Sequence, residues 1–226
     1  MLPCSLAANI RVVCEVVLYA TYVNGPKYEY GWGVKRIESI DRTRGKLLAA
    51  GRQAFAQHGY HAASMDQLTA SVGLTRGALY HHFGSKKGLL AAVVEHYDTE
   101  MAHRMRETAA RSEDGCQALL DEGVAYIKLA LEPDFQRIVL LDGPAVLGDP
   151  MHWPSQNACL AVTTDAIRTL LKEERIAPVD AEAAARLLNG AALDAALWIA
   201  ASDDPSLVAE RAIGAFLRLA SGLLGR

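Results

Sequence analysis

Residues 59–87 read GYHAASMDQLTASVGLTRGALYHHFGSKK and carry the clearest pattern in the 226-residue chain. Serine and threonine stand before apolar positions that repeat as on one face of a helix, which predicts capped short helices over 65–71 and 76–83. The segment between them contains Gly73, which adopts a positive φ at little cost. Two helices joined by a four-residue turn predict a helix-turn-helix motif over 64–83.

The helical pattern continues on both sides of this motif. Alanine is abundant, the chain has only four phenylalanines, and few segments alternate with a period of two. These features favour helices over strands, so we expect an all-α fold. A first helix is predicted to end at Gly59, and Lys86 begins a long fourth helix. The predicted helices outside the motif cover 41–58, 86–111, 116–131, 133–143, 156–174, 181–201 and 205–224.

The net charge of −3 hides two segments of opposite charge. Residues 35–90 hold nine basic and three acidic residues, a balance of +6, whereas residues 91–226 hold twelve and twenty-one, a balance of −9. Residues 1–34 sum to zero. A basic block followed by an acidic block indicates two domains, and the basic block is a candidate phosphate-binding surface. An ordinary solvated basic face is the alternative.

Residues 1–34 do not fit the pattern of the rest. Their apolar stretch over 12–23 is too short to span a bilayer as a helix, and it contains Glu15. It also lacks the flanking residues of a secretory signal. We expect an atypical extension that is poorly ordered or translated from a start codon upstream of the real one. A strand or short helix packed on the body is the alternative.

Polar and small residues around the motif are candidate DNA contacts. Arg76 is placed to reach guanine or a phosphate, and Gly77 and Ala78 let the helix backbone approach DNA closely. Hydroxyl groups, basic side chains and helix N-termini bind phosphates. A helix cap or an ordinary surface residue is the alternative for each. The candidate set is Arg42, Arg44, Ser64, Thr75, Arg76, Gly77, Ala78, Tyr80, His81 and Lys86.

Residues 59–68, 72–83 and 85–86 together resemble the DNA-binding domain of the tetracycline-repressor (TetR, or TetR/AcrR-like) family. The resemblance covers about residues 41–97, and it departs from the family pattern at Thr69 and Val72, where alanine is usual. It implies an N-terminal helix-turn-helix domain over 35–97. A long helix then joins this domain to a larger C-terminal domain over 98–226 that binds a ligand and forms a homodimer.

The function that this resemblance implies is transcriptional regulation. Most relatives repress, so we expect a homodimeric repressor that a small-molecule effector releases from a double-stranded DNA operator. A two-fold axis requires that operator to be nearly palindromic. The alternative is a helix-turn-helix protein without a small-molecule effector, acting as an architectural or protein-regulated factor. We expect a cytoplasmic, nucleoid-associated protein that does not bind membranes.

Two further sets of residues in the C-terminal domain are candidate sites. Apolar pockets with a few polar groups are typical ligand sites, although each pocket residue has an ordinary core position as its alternative. The candidate pocket residues are Met101, His103, Met105, Tyr126, Phe135, Asp142 and Trp153. Broad apolar stripes on the last two helices predict a dimer interface, with packing inside one subunit as the alternative. The candidate interface residues are Leu187, Ala191, Ala195, Trp198, Ile213, Phe216 and Leu217.

Catalytic and metal-binding signals are weak. The chain has no nucleophile elbow, Walker loop or dinucleotide fingerprint, so we expect no enzyme and no cofactor. The histidines His58, His61, His81 and His82 do not converge as a metal site requires. The four cysteines include no Cys-x-x-Cys pair, which excludes zinc ribbons and thioredoxin-like motifs and fits a reduced compartment.

Overall fold

The computed structural model describes the backbone of residues 31–224 and the side chains of residues 40–224. Every regular element in that range is helical, which confirms the predicted all-α fold. The chain divides into two compact units, residues 1–41 and 42–226. Of the expected extension over 1–34, only residues 31–34 are described, and they are helical; residues 1–30 lie outside the described range. The division at residue 97 stays a prediction.

The first helix, α1, spans Gly31–Ala62 and begins ten residues before its predicted start. The predicted start relied on a buried face, and among the side chains described from residue 40 onward the first buried one is Leu47. As predicted, Gly59 interrupts the helix, with φ 72° and ψ 168°. This is a conformation that glycine adopts far more easily than other residues.

The two helices of the motif have the predicted bounds, α2 over Met65–Ser71 and α3 over Arg76–Phe83. Gly73 in the turn between them has φ 67°, as its position predicted. Thr69, where the family pattern has alanine, is buried, and its Oγ1 donates to the carbonyl oxygen of Met65 at 2.9 Å. The hydroxyl is therefore satisfied within its own helix, and the departure does not disturb the motif.

The long helix α4 spans Lys86–Ala109, and α5 follows over Gly115–Leu129. The single helix predicted over 133–143 is wrong. The structure has a short α6 over Pro133–Phe135, a π-helical turn over Gln136–Asp142 and then α7 over Gly143–Leu147.

The wider π turn ends where proline interrupts the helical hydrogen bonds. The amide of Gly143 donates to the carbonyl oxygen of Ile138, five residues back. Pro144 has no amide hydrogen and lies in the first turn of α7 instead of ending the helix, since proline is well tolerated in a first turn.

A 3₁₀ turn over Pro150–His152 leads into α8 over Pro154–Lys172, α9 over Ala181–Ala200 and α10 over Pro205–Leu224. Helix α9 packs against α5, α8 and α10, and α4 packs against α5. The buried face of α9 is rich in alanine, which lets helices approach closely. None of the helices within residues 31–224 combines the length and apolar character needed to cross a bilayer.

Candidate nucleic-acid interface and ligand cavity

Helix α3 exposes one face and anchors the other in the core. Leu79 is fully buried, whereas Arg76, Gly77, Tyr80 and His81 are exposed. A recognition helix needs this division, because one face must hold the helix on its domain while the other enters the major groove. The remaining candidate on the helix, Ala78, is half-buried.

The hydroxyl groups at the starts of the motif helices act as caps, as predicted. Ser64 Oγ accepts a hydrogen bond from the amide of Gln67 at 3.4 Å. Thr75 Oγ1 accepts from the amide of Ala78 at 3.2 Å. These bonds fix where α2 and α3 begin, and a phosphate contact by either hydroxyl stays a prediction.

The guanidinium of Arg76 is held at the exposed surface by two neighbours. Its Nη2 donates to the Tyr80 hydroxyl at 3.2 Å, and its Nη1 lies 3.4 Å from both carboxylate oxygens of Asp66. The hydrogen bond with Tyr80, followed by the charge of Asp66, raises the pKa of Arg76 above its ordinary value. The side chain is 56 % exposed, so the cation paired with this carboxylate remains accessible from solvent. The partner Asp66 was not foreseen, because it lies on another helix.

The other basic candidates differ in how far they are engaged. Arg42 is exposed, and the Arg44 guanidinium lies 5.5 Å from the centre of the Phe83 ring. Lys86 Nζ donates to the carbonyl oxygen of His61 at 3.1 Å and lies 4.9 Å from the centre of the Tyr60 ring. Lys86 therefore fastens the start of α4 to the end of α1, a structural role that sequence reasoning missed.

Asp142 connects the end of the π turn to the end of α1. Its Oδ2 accepts a hydrogen bond from the Tyr60 amide at 2.7 Å, directly after the interruption at Gly59. Arg137 Nε lies 3.6 Å from the same oxygen. A Cβ added to Gly59 would lie 2.3 Å from the Arg137 guanidinium, the flexible end of a half-exposed side chain that can move aside, so the positive φ and not space favours glycine there. Asp142, predicted as a ligand anchor, instead holds the backbone beside the helix-turn-helix.

Asp142→Ala is expected to free the Tyr60 amide and speed its hydrogen exchange. Removing a charged acceptor from a partly buried donor costs about 1–3 kcal/mol of stabilising free energy. Here this loss is confined to the contact between Asp142 and the Tyr60 amide. Amide exchange measured by NMR reports it directly. The matched control is Asp180→Ala, which removes a cap that accepts from the Ala183 amide, also at 2.7 Å. Equal protection of the Tyr60 amide in both variants would show that the Asp142 bond does not hold this junction.

Four of the predicted pocket residues meet at one cavity: Met101, Tyr126, Phe135 and Trp153. The cavity has a volume of about 10 Å³, about the room that one water needs. Its other lining residues are Asp98, Val139, Leu140, Pro150, Gln156 and Leu193.

The structure does not bring His103, Met105 or Asp142 to this cavity. The His103 side chain is 66 % exposed and lies 3.6 Å from Glu107. Met105 is partly buried and packs against the core away from the cavity lining. The predicted polar anchors of the pocket are therefore replaced by Asp98 and Gln156. For Asp98 the sequence did contain a signal, because it lies three residues before Met101 and the two residues therefore share one face of the helix.

Asp98 at the cavity and Glu122 on α5 are partly buried, and no basic side chain among residues 40–224 pairs with either. Burial raises the pKa of Asp98 to about 6 and the pKa of Glu122 to about 7. Burial also raises the pKa of the Cys159 thiol, and the charges of Glu122 and Asp98 raise it further. Glu122 lies one turn before Tyr126 on α5, so this spacing was the available signal. Buried carboxyl groups with perturbed pKa values mark candidate functional sites.

The candidate interface residues divide into two groups. Leu187 is 64 % exposed and Trp198 is 47 % exposed, and Ala191, Ile213 and Leu217 are half-buried. By contrast, the buried side chains of Ala195 and Phe216 belong to the core of the single chain. Phe216 lies so close to Gly123 that a Cβ added there would be 2.3 Å from its Cζ.

The chain offers no clustered metal ligands in the part described. Across residues 40–224, no three His, Cys, Asp or Glu side chains converge as a metal ion would need.

Two family models match the chain. The model described as bacterial regulatory proteins of the tetR family matches residues 47–93. The model described as the tetracyclin repressor-like C-terminal domain matches residues 116–223. A solved TetR-family transcriptional regulator from Pectobacterium atrosepticum is 43 % identical, with a TM-score of 0.77, and the match covers 84 % of this chain and 97 % of that one.

Curated relatives with regulatory names match shorter segments. The transcriptional repressor AcnR of Corynebacterium efficiens is 41 % identical over 44 % of this chain. The transcriptional activator FasR of Mycolicibacterium smegmatis is 28 % identical over 59 % of it. The matches span 52 % and 61 % of those two relatives' own lengths. The family and these relatives are transcriptional regulators and not enzymes, in agreement with the sequence-based prediction.

Proposed function

Because the chain belongs to the tetracycline-repressor family of transcriptional regulators, we propose that it binds a near-palindromic DNA operator as a homodimeric repressor. A small-molecule ligand releases it from that operator. The main observation in support of the proposal is that α3 exposes Arg76 and Tyr80 on one face while Leu79 on the opposite face is buried. In this proposal the protein acts in the cytoplasm, associated with the nucleoid.

The proposed DNA contacts follow from exposure and charge. Arg76 reads a base edge or holds a phosphate once it leaves Asp66, and Tyr80 lies beside it. Arg42, Arg44 and the N-termini of α2 and α3 hold the phosphate backbone, which sets the register of the helix in the groove. The +6 balance of residues 35–90 supplies the attraction to DNA.

The proposed dimer uses the exposed stripe of α9. Leu187 and Trp198 are eleven residues apart, which is about three helical turns, so they lie on the same side of the helix. Large apolar side chains that are exposed along one face favour burial against a partner. A second copy of the chain places a second recognition helix on the other half-site.

Release by a ligand would act as a population shift. The ligand binds better to a form whose recognition helices are wrongly spaced, so DNA is released. The π turn is suited to carry this change, because Val139 and Leu140 line the cavity while Asp142 holds the Tyr60 amide. One matching relative is named an activator and another a repressor, and we propose that this chain represses transcription.

The alternative, a helix-turn-helix regulator without a small-molecule effector, is favoured by one observation. The cavity of about 10 Å³ does not admit more than about one water unless its walls move. In that case a protein partner or DNA alone would set the regulatory state. Release of operator DNA by a small molecule distinguishes the two functions.

Arg76→Ala is expected to weaken operator binding about five- to hundredfold, because a bidentate base contact is lost. The measurement is a gel shift with DNA from upstream of the protein's own gene, in competition with unrelated DNA. The matched control is Arg168→Ala: Arg168 is 57 % exposed and lies 2.9 Å from Asp165, much as Arg76 pairs with Asp66.

The two arginine variants separate DNA recognition from a general charge effect. Equal losses in both variants would mean that Arg76 contributes only its charge. An unchanged preference for operator over unrelated DNA in Arg76→Ala would remove its role in base recognition. If the wild-type protein retards no DNA specifically at low salt, the proposed function fails.

A further inference from the structure

The cavity between α4, α5, the π turn and α8 combines aromatic walls with a carboxylate. Tyr126, Phe135 and Trp153 supply three aromatic walls, and the rings of Tyr126 and Phe135 are perpendicular with centres 6.4 Å apart. Asp98 contributes the carboxylate on α4, and Gln156 lies on α8. Aromatic faces attract cations through the negative charge above the ring, most strongly when water is excluded.

No basic side chain in the described part of the chain pairs with the carboxylates here. The pKa of Asp98 is raised by burial and by the charge of Glu95, and it is lowered by the Ser155 hydroxyl. The pKa of Glu122 is raised by burial alone. Buried charges in proteins are normally paired, so an ionised Asp98 leaves negative charge at the cavity that a cation can balance.

A buried hydroxyl group lies next to Asp98. Ser155 Oγ is fully buried and has no hydrogen-bond partner of ideal geometry among the described residues. It lies near enough to Asp98 to favour the charged form of that carboxylate, which lowers the pKa of Asp98 against the effect of burial. Buried hydroxyl groups are almost always hydrogen-bonded, so this one helps to keep Asp98 ionised.

We propose that this cavity is the effector site and that its ligand is an organic ammonium ion. The charged nitrogen pairs with Asp98, while its apolar part packs on Tyr126, Phe135 and Trp153. Gln156, which also lines the cavity, is placed for a hydrogen bond with the ammonium group or with a polar substituent. The identification of the site as an effector site rests on the ligand-released function proposed above.

The volume of the cavity sets a requirement on binding. A space of about 10 Å³ holds a water and not an organic cation, so binding displaces part of the wall. The wall includes Val139 and Leu140 on the π turn, which ends at Asp142 and its bond to the Tyr60 amide. An ammonium ion that pushes this wall outward therefore acts on the junction beside the helix-turn-helix.

The test uses the full-length protein and two sets of probes matched in shape. The first set is benzylamine, benzyl alcohol and benzoate, and the second is 4-phenylbutylamine, 4-phenylbutanol and 4-phenylbutyrate. Binding is measured by calorimetry near pH 7. In at least one set the amine is expected to bind about tenfold more tightly than the alcohol and the carboxylate, as a charge-assisted contact predicts.

Variants show whether the amine binds at Asp98, and they supplement the comparison of probes in the wild-type protein. Asp98→Asn is expected to lower the affinity of the amine about tenfold and to leave the alcohol unchanged. Glu107→Gln, an exposed carboxylate nine residues later on α4, is the control and is expected to leave both unchanged. The comparison of amine with alcohol in the wild-type protein remains decisive if Asp98→Asn does not fold.

The outcomes separate this inference from the proposed function. Equal binding of amine, alcohol and carboxylate, a preference for the carboxylate, or no binding by any probe would overturn the ammonium site. Specific gel shifts together with any of these results leave the regulator function standing. Binding of the amine at Asp98 by a protein that retards no DNA specifically supports the site and defeats the proposed function.

Discussion

Replacing Leu187 and Trp198 together by glutamate is expected to produce a monomer whose operator affinity is about a hundredfold lower or worse. The reason is that a dimer binds its second half-site as an intramolecular step, and a monomer loses this advantage. Both side chains are about half exposed or more on the single chain, so their replacement leaves the subunit's own core intact. Mass measurement by light scattering and the gel shift report the two effects.

The control for this variant is Leu131→Glu. Leu131 is also a large apolar residue, 40 % exposed, but it follows α5 and belongs to neither α9 nor α10. A dimer that survives in the double variant would exclude the α9 stripe as the interface. Loss of the dimer in Leu131→Glu as well would point to general destabilisation by surface charge.

Phe216→Ala is expected to lower the free energy of unfolding by about 3–5 kcal/mol, the usual cost of truncating a buried aromatic side chain. Phe216 is 5 % exposed and fills the space beside Gly123, on a helix that packs against both α5 and α9. The measurement is urea denaturation of the monomeric double variant, so that burial against a second copy does not contribute.

Leu219→Ala, on the same helix and 57 % exposed, is the matched control. In the monomeric background it is expected to change the free energy of unfolding by no more than about 0.5 kcal/mol. Similar losses in the two variants would mean that α10 presents Phe216 and Leu219 to solvent alike. The large difference expected instead would assign Phe216 to the subunit core and leave Leu219 free for a partner.

The helix-turn-helix could be predicted closely because its signals are local. Ser64 and Thr75 cap the helices that follow them, and Gly73 takes the positive φ that the turn requires. Each of these features depends on residues within about four positions along the chain. The π turn was missed because hydrogen bonds to the residue four or five positions back differ little in local sequence, and tertiary packing selects between them.

Site residues in the C-terminal part were predicted less well, for a physical reason. Periodicity shows which residues share a face of one helix, but not which other helix covers that face. Leu187 and Phe216 are both apolar residues on such stripes, yet one is exposed and the other is buried. Asp98 and Glu122 share helix faces with predicted pocket residues, but spacing along one helix does not show which carboxylates lose contact with water once the helices pack.

The helical class, the capped motif and the segregation of charge into +6 and −9 segments follow from local sequence, because caps, turns and charge act over short distances along the chain. Three contacts became visible only in the folded chain: Asp142 holds Tyr60 across 82 residues, Arg76 pairs with Asp66, and Asp98 faces an aromatic cavity. These contacts join residues on different helices. They exist only after the helices pack, since packing sets which side chains lose water and which partners they meet.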